Sequence, residues 1–293
     1  SLKNLRRRIR SISGTKQVTR AMEMVSAAKL RRSQSALLSA RPYVRNLEKI
    51  MAHVAPLAES TGHPLFAQRY VERSTLVLYT ADRGLCGSYN ANLIRIAEKH
   101  LKNHRLGSME LVCLGKKGYE YFSRRHWPIA LAVTDMGGVL DRKRSDEVAH
   151  FLRKRFLNGE TDEVFLLYST FVTTAFSRPT YQKFLDLDLS DLVKPSDNIA
   201  HVGYQSDYLF EPSREQVFQR LLPDYLQSKI FITMAETFTS EHSARMLAMN
   251  NASGNCDEMA DSLTLKMNKA RQSSITNDLL DIVGGAEALQ QGG

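Results

Sequence analysis

Cysteine is scarce in this chain of 293 residues: Cys86, Cys113 and Cys256 are odd in number and widely scattered. That excludes a disulfide framework and points to a reducing compartment. Long hydrophobic runs are missing too. No uninterrupted apolar stretch approaches the ~20 residues that a membrane span needs, although an apolar content of 43% leaves an ordinary core available. Internal repeats and low-complexity linkers are also absent. A chain of this length has room for one domain plus extended elements, or for two small domains.

Acids are nearly absent from one region. In residues 1–45, Lys3, Arg6, Arg7, Arg8, Arg10, Lys16, Arg20, Lys29, Arg31, Arg32, Arg41 and Arg45 face only Glu23, and the whole chain carries a formal charge of +9. Such a segment fits a nucleic acid, an anionic membrane, an organelle transit peptide or acidic protein surfaces. A plain solvated helix face is the bland alternative. The transit-peptide reading weakens because the apolar pattern continues into Val44, Leu47 and Ile50 without a cleavage-like break. Nucleic-acid binding stands on charge alone, since no stacking aromatic appears before Tyr43.

What is present is helical patterning at both ends. Residues 240–289 carry small or apolar residues at Met249, Ala252, Cys256, Met259, Leu263, Met267, Ala270 and Ser274, in steps of three and four. The spacing draws one narrow stripe, as in a coiled-coil seam. It stays in phase through Asn250, Asn251, Ser253, Gly254 and Asn255, which alone spell a turn, so one continuous helix is expected, with a break at Gly254 as the lesser reading. Residues 2–55 show the same habit at Leu5, Ile9 and Ile12, then Val18, Met22 and Val25, with Pro42 expected to kink the helix or end it one residue earlier. An antiparallel pair follows, with unequal partners of roughly 110 Å and roughly 80 Å. The surplus is an unpaired tip bearing Ile275, Leu279, Leu280, Ile282 and Val283. Apolar side chains in that number usually mean that another protein covers them; a tip that folds back or frays is the bland alternative.

The middle reads differently. Strand-like runs at 74–81, 109–114 and 163–169 alternate with helix-like ones at 90–104, 117–126 and 143–157, implying a small parallel α/β sheet. Tyr181–Leu185 and Ile199–Tyr204 fit edge strands. The domain expectation is a coiled-coil helix over 1–58, a Rossmann-like α/β domain over 74–205 and a second coiled-coil helix over 208–289, in an α/β fold class.

Chemistry is thinly supported there. The loop Asp82–Ser88 sits where α/β domains bind ligands, yet Gly84 and Gly87 fit no phosphate-binding motif. Gly115-Lys-Lys-Gly118 could hold a phosphate or serve as a basic turn. His100 and His104 lack a third metal ligand by spacing, and Cys86 has no positioned base. No cofactor, metal or catalytic residue is expected, and Cys86 is read as packing.

Four stretches carry a resemblance. Arg6–Arg32, Asp82–Leu93, Ser240–Met249 and Leu263–Leu289, the last with Asn268-Lys-Ala-Arg-Gln272 and Ile275-Thr276, resemble the gamma subunit of F-type ATP synthase across nearly the whole chain. Asp278 stands where the family typically has Glu, and Met267 where it often has Tyr. The resemblance implies a non-catalytic rotor shaft, with its tip in a ring of alpha and beta subunits and its middle domain against the epsilon subunit and the membrane c-ring. It implies no nucleic acid and no direct membrane insertion. The implied place is the cytoplasmic side of a bacterial plasma membrane. By motif, partner-binding residues would be Arg245, Arg271, Gln272, Thr276 and Asp278, with Arg6, Arg7, Arg10 and Met22 on the basic helix and Ile275, Leu279 and Ile282 at the tip. A nucleic-acid-binding coiled coil and a nucleotide-dependent enzyme centred on Asp82–Ser88 are the rivals.

Overall fold

The computed structural model describes residues 2–60, 63–66, 69–103, 108–187, 211 and 213–291. The element order is α1 (Leu2–Ser60), a 3-10 turn (Pro64–Phe66), β1 (Ser74–Tyr79), α2 (Tyr89–Asn103), β2 (Met109–Leu114), α3 (Lys116–Ser123), β3 (Ile129–Val133), α4 (Arg142–Leu157), β4 (Glu163–Phe171), β5 (Ser177–Leu185) and α5 (Arg214–Gln291). The chain divides into two compact units, residues 27–245 and residues 1–26 with 246–293.

The first unit contains a five-stranded sheet ordered β3-β2-β1-β4-β5. Strands β1 to β4 are parallel and β5 pairs antiparallel to β4. Every residue of the central β1 is buried, as expected for a parallel strand covered on both faces. Because strand side chains alternate, Val77 and Tyr79 join one core and Leu76 and Leu78 the other. The first core is completed by Leu47, Met51 and Val54 of α1, Val148, Leu152 and Phe156 of α4, and Leu222, Leu226 and Ile230 of α5. The second takes Leu93, Ala97 and Leu101 of α2 with Phe122 of α3. This is a three-layer α/β/α arrangement of doubly wound order.

Two strands exceed the sequence expectation. β3 was not foreseen: its five residues, Ile-Ala-Leu-Ala-Val, are short, alanine-diluted and half-exposed at the sheet edge. β5 begins at Ser177, four residues before the expected start. Pro179 hides it from a pattern search, yet proline is tolerated on an edge strand. The expected strand at 199–204 lies outside the described residues.

Both prolines inside long helices are carried through. α1 does not end at Arg41, and α5 contains Pro223. An interior proline costs about 3 kcal/mol. Leu37, Val44 and Leu47 are buried around Pro42, as are Phe218, Leu222, Tyr225 and Leu226 around Pro223, so packing holds each helix together. α5 also runs unbroken through Gly254.

In the second unit, α1 and α5 run antiparallel. Glu23 meets Asn250, Thr19 meets Ser253 and Lys16 pairs with Asp257, so partner numbers rise along α5 as they fall along α1. The buried seam keeps Met249 and Cys256 of the expected stripe and departs from it by one residue at other positions on both helices. Thr19 and Ser26 are buried, whereas Val18 and Val25 are 59% and 58% exposed. On α5, Ser253 is buried and Met259 exposed. One residue turns a helix by about 100°. The hydroxyls can enter because each bonds within the seam: Thr19 to Lys16 O at 2.9 Å and to Ser253 at 2.7 Å, and Ser26 to Met22 O at 2.7 Å.

Candidate functional site

The carboxyl end of the sheet is where an α/β domain would hold a ligand. Here Asp82, just past β1, ties three loops together. Its Oδ1 accepts from Lys116 N at 3.0 Å and Asp135 N at 3.1 Å, and its Oδ2 from Gly137 N at 2.8 Å. The start of α3 is therefore already satisfied. Lys116 N goes to Asp82, Lys117 N to Ala81 O, Gly118 N to Thr80 Oγ1 and Tyr119 N to Gly115 O. Helix N-termini bind anions through such unsatisfied amides, and these four are taken. Gly115 and Gly118 serve closeness instead of phosphate: a Cβ on Gly115, at φ +107°, would fall 1.9 Å from Thr80 O. The Gly115–Gly118 stretch is the tight βα turn.

Cys86 is buried in the same loop, and burial pushes its thiol pKa up against the pull of Arg245. Asn90 donates to its sulfur at 3.2 Å and accepts from Ala81 N at 2.9 Å. His100 stacks on Tyr181 with ring centroids 3.9 Å apart; His104 lies outside the described residues.

Across this end of the sheet runs a stretch of α5 that buries polar groups. Thr233 shares a 2.8 Å hydrogen bond with the Tyr79 hydroxyl. Glu236 is consumed on both oxygens, by Arg41 at 2.8 Å and by Phe171 N at 2.7 Å. Ser240 donates to Ser169 O at 3.1 Å, and Ser243 donates to Thr174 O. His242 Nε2 lies 2.9 Å from Gly138 O, and its Nδ1 is buried without a partner among the described residues. The ring is therefore neutral with its proton on Nε2, and burial drops its pKa to about 4. Arg245 donates to Glu241 at 2.7 Å, Arg83 O at 3.0 Å and Gly84 O at 3.3 Å. Burial raises the Glu241 pKa while Arg245 pulls it down. The sequence motifs around Asp82 and Ser240 thus meet in space. Of this stretch the sequence reading singled out Arg245 alone; the signal missed was the polar density of 233–245 inside a segment otherwise apolar enough for a core.

Arg245 stands apart from the other expected partner-binding residues, being 9% exposed with its donors committed inside the chain. Met22 is half-buried, and Arg6, Arg7 and Arg10 are exposed. The remaining expected residues lie on α5. Every residue from 271 to 283 is exposed. That span holds Arg271, Gln272, Thr276 and Asp278 together with Ile275, Leu279, Leu280, Ile282 and Val283, the five apolar ones 51–68% exposed. Among the described residues no helix is long and apolar enough to cross a membrane.

The ATP synthase family model matches residues 1–289. An ATP synthase gamma chain from Pelotomaculum thermopropionicum is 40% identical over 99% of both chains, and one from Moorella thermoacetica is likewise 40% identical over 99% of both. The chain belongs to the ATP synthase gamma chain family. Solved structures share the fold. The match to Euglena gracilis mitochondrial ATP synthase, solved as OSCP, F1 and c-ring, has a TM-score of 0.67 at 17% identity, covering 99% of this chain and 95% of that one. The match to the central stalk and c-ring assembly of Tetrahymena thermophila mitochondrial ATP synthase has a TM-score of 0.60 at 23% identity, covering 80% and 99%. Family membership supports the gamma-chain reading of the basic helix over a nucleic-acid binder.

Proposed function

We propose that the chain is the non-catalytic central shaft of an F-type ATP synthase. It turns inside a ring of three alpha and three beta subunits and couples ion translocation to ATP synthesis. Its α/β domain engages the epsilon subunit and the c-ring, so the chain is peripheral to the membrane, on the cytoplasmic side in a bacterium. The observation that carries this reading is the exposed stretch 271–283 with its five apolar side chains. In water that surface is a liability; inside a sleeve of neighbouring subunits it becomes a bearing. Arg271, Gln272, Thr276 and Asp278 are the polar contacts of that bearing, and Arg6, Arg7 and Arg10 face acidic loops of the ring.

Asymmetry supplies the mechanism. A two-helix rod has no threefold axis, so three identical neighbours meet three different faces of it. Contacts that differ between sites bias each site toward a different nucleotide affinity. Turning the rod passes each bias to the next site. Equal contacts on every face would shift nothing, however tight. The α/β domain supports the non-catalytic part, since its own side chains fill the place where a phosphate would sit.

Replacing Arg271 and Gln272 with alanine tests the proposal in the assembled complex. ATP hydrolysis and synthesis should fall while the α/β domain stays folded. Unchanged rates would remove those contacts from the mechanism.

A further inference from the structure

The buried polar stretch of α5 has a geometry that a packed hydrophobic face would not give. Its bonds to the sheet leave the helix in several directions. Successive residues of a helix point about 100° apart, so His242, Ser243 and Arg245 reach out on different sides. The loops they hold differ too: Gly138 follows β3, Thr174 lies between β4 and β5, and Arg83 with Gly84 follows β1. Ser240 adds the backbone of β4 at Ser169. Two ion pairs brace the arrangement, the buried Glu241–Arg245 pair along the helix and the part-buried Arg41–Glu236 pair between α1 and α5. A helix packed only by apolar contacts on one face can roll or slide at small penalty. A helix bonded on several sides, to loops of which those after β1 and β3 are tied together by Asp82, cannot roll without breaking those bonds.

We infer that residues 233–245 of α5 form a torsional clamp, in which Arg245 is a positioning residue that fixes the rotational setting of the helix against the sheet instead of contacting a neighbouring subunit. The inference rests on the rotor reading above and locates, within residues 27–245, where torque passes from the sheet to the helix. Arg245 suits the task because its planar fork reaches one carboxylate and two carbonyls at once, which lysine cannot copy.

The test uses the assembled alpha, beta and gamma complex, fixed to a surface by its ring. A bead is attached through a Lys99→Cys substitution on the exposed face of α2. ATP-driven turning of the bead in the parent complex checks the rotor reading; a bead that never turns there defeats that reading, whatever the clamp does. The width of the bead's angular fluctuation in a stalled complex reads torsional stiffness. With Arg245→Ala the bead should still turn, and its fluctuation should broaden severalfold. Arg245→Lys should lie between. Adding Ser243→Cys with Thr174→Cys and oxidising the pair should narrow the distribution again, because a covalent tie replaces the lost bonds. If Arg245→Ala does not assemble, Glu241→Gln carries the test with the same expected broadening. Unchanged fluctuation with reduced ATP hydrolysis would overturn the inference, since it would place Arg245 on a subunit contact. Broadening that the disulfide leaves uncorrected would also overturn it, as would a variant indistinguishable from the parent.

Discussion

Two stretches of the same helix reverse the usual rule of what is inside. Between 233 and 245, α5 buries Thr233, Glu236, Thr237, Thr239, Ser240, Glu241, His242, Ser243 and Arg245. Between 271 and 283 it exposes Ile275, Leu279, Leu280, Ile282 and Val283. The difference shows which part of the helix is finished by its own chain. Most of the buried polar groups find partners on the sheet, its loops or α5 itself, as buried polar groups must. The exposed apolar groups have no such cover among the described residues.

The strongest way to break this contrast is to strip one partner from the polar stretch. Glu241→Ala leaves the Arg245 guanidinium buried beside two carbonyls without its carboxylate, which should cost about 3–5 kcal/mol. Urea denaturation of the full chain would read it. A loss close to zero would mean that the pair is not braced by burial.

The next effect is set by pH. His242 is neutral when folded, with a pKa near 4 against 6.5 for an ordinary histidine. The unfolded chain therefore binds the extra proton first, and stability falls as pH drops from 6.5 toward 4. The contribution is on the order of 3 kcal/mol at most. His242→Gln, which keeps a donor for Gly138 O, should flatten the curve in that window. A parent chain already flat between pH 6.5 and 4 would contradict the buried neutral ring.

A smaller gain is expected along the antiparallel pair. Neither Gly14 nor Gly254 has any neighbour within 4 Å of where a Cβ would stand, so alanine at either position should stabilise the free chain by about 1 kcal/mol. Thermal unfolding checks this. Poor assembly of the same variants would show that another subunit comes close at that glycine, which sharpens the map of the covered face.

The smallest effect on the free chain belongs to the tip. Serine at Ile275, Leu279 and Ile282 removes little that the chain itself buries, so its stability should move by less than about 0.5 kcal/mol. Assembly and ATP synthesis should suffer instead. The opposite pattern, an unstable chain in a normal complex, would mean that the tip packs on its own protein.

How far these regions could be read from sequence followed the same divide. The tip was legible because apolar spacing is a signal in itself, and it needs no knowledge of a partner. The continuity of α5 through Gly254 was legible for the same reason. At two points of α1 the expected seam missed by one residue because Val18 and Val25 outrank Thr19 and Ser26 on any hydrophobic scale, while the inside position was decided by hydroxyls that bond their own helix. The polar stretch was least legible. Glu236, Ser240 and His242 look like surface residues until Phe171 N and the carbonyls of Ser169 and Gly138 are placed around them, and those lie 65 to 104 residues away. The Asp82 loop was read as a turn without chemistry; what stayed hidden is that its carboxylate organises three backbone amides. β3 escaped because an edge strand needs no strong apolar pattern.

The covering of the tip is the central claim, and a thiol placed there measures it directly. With Leu279→Cys, the alkylation rate at position 279 should be fast in the free chain and many-fold slower in the assembled ATP synthase, while the three native cysteines, all buried, react slowly in both. Equal rates at position 279 in the free chain and in the complex would contradict the account.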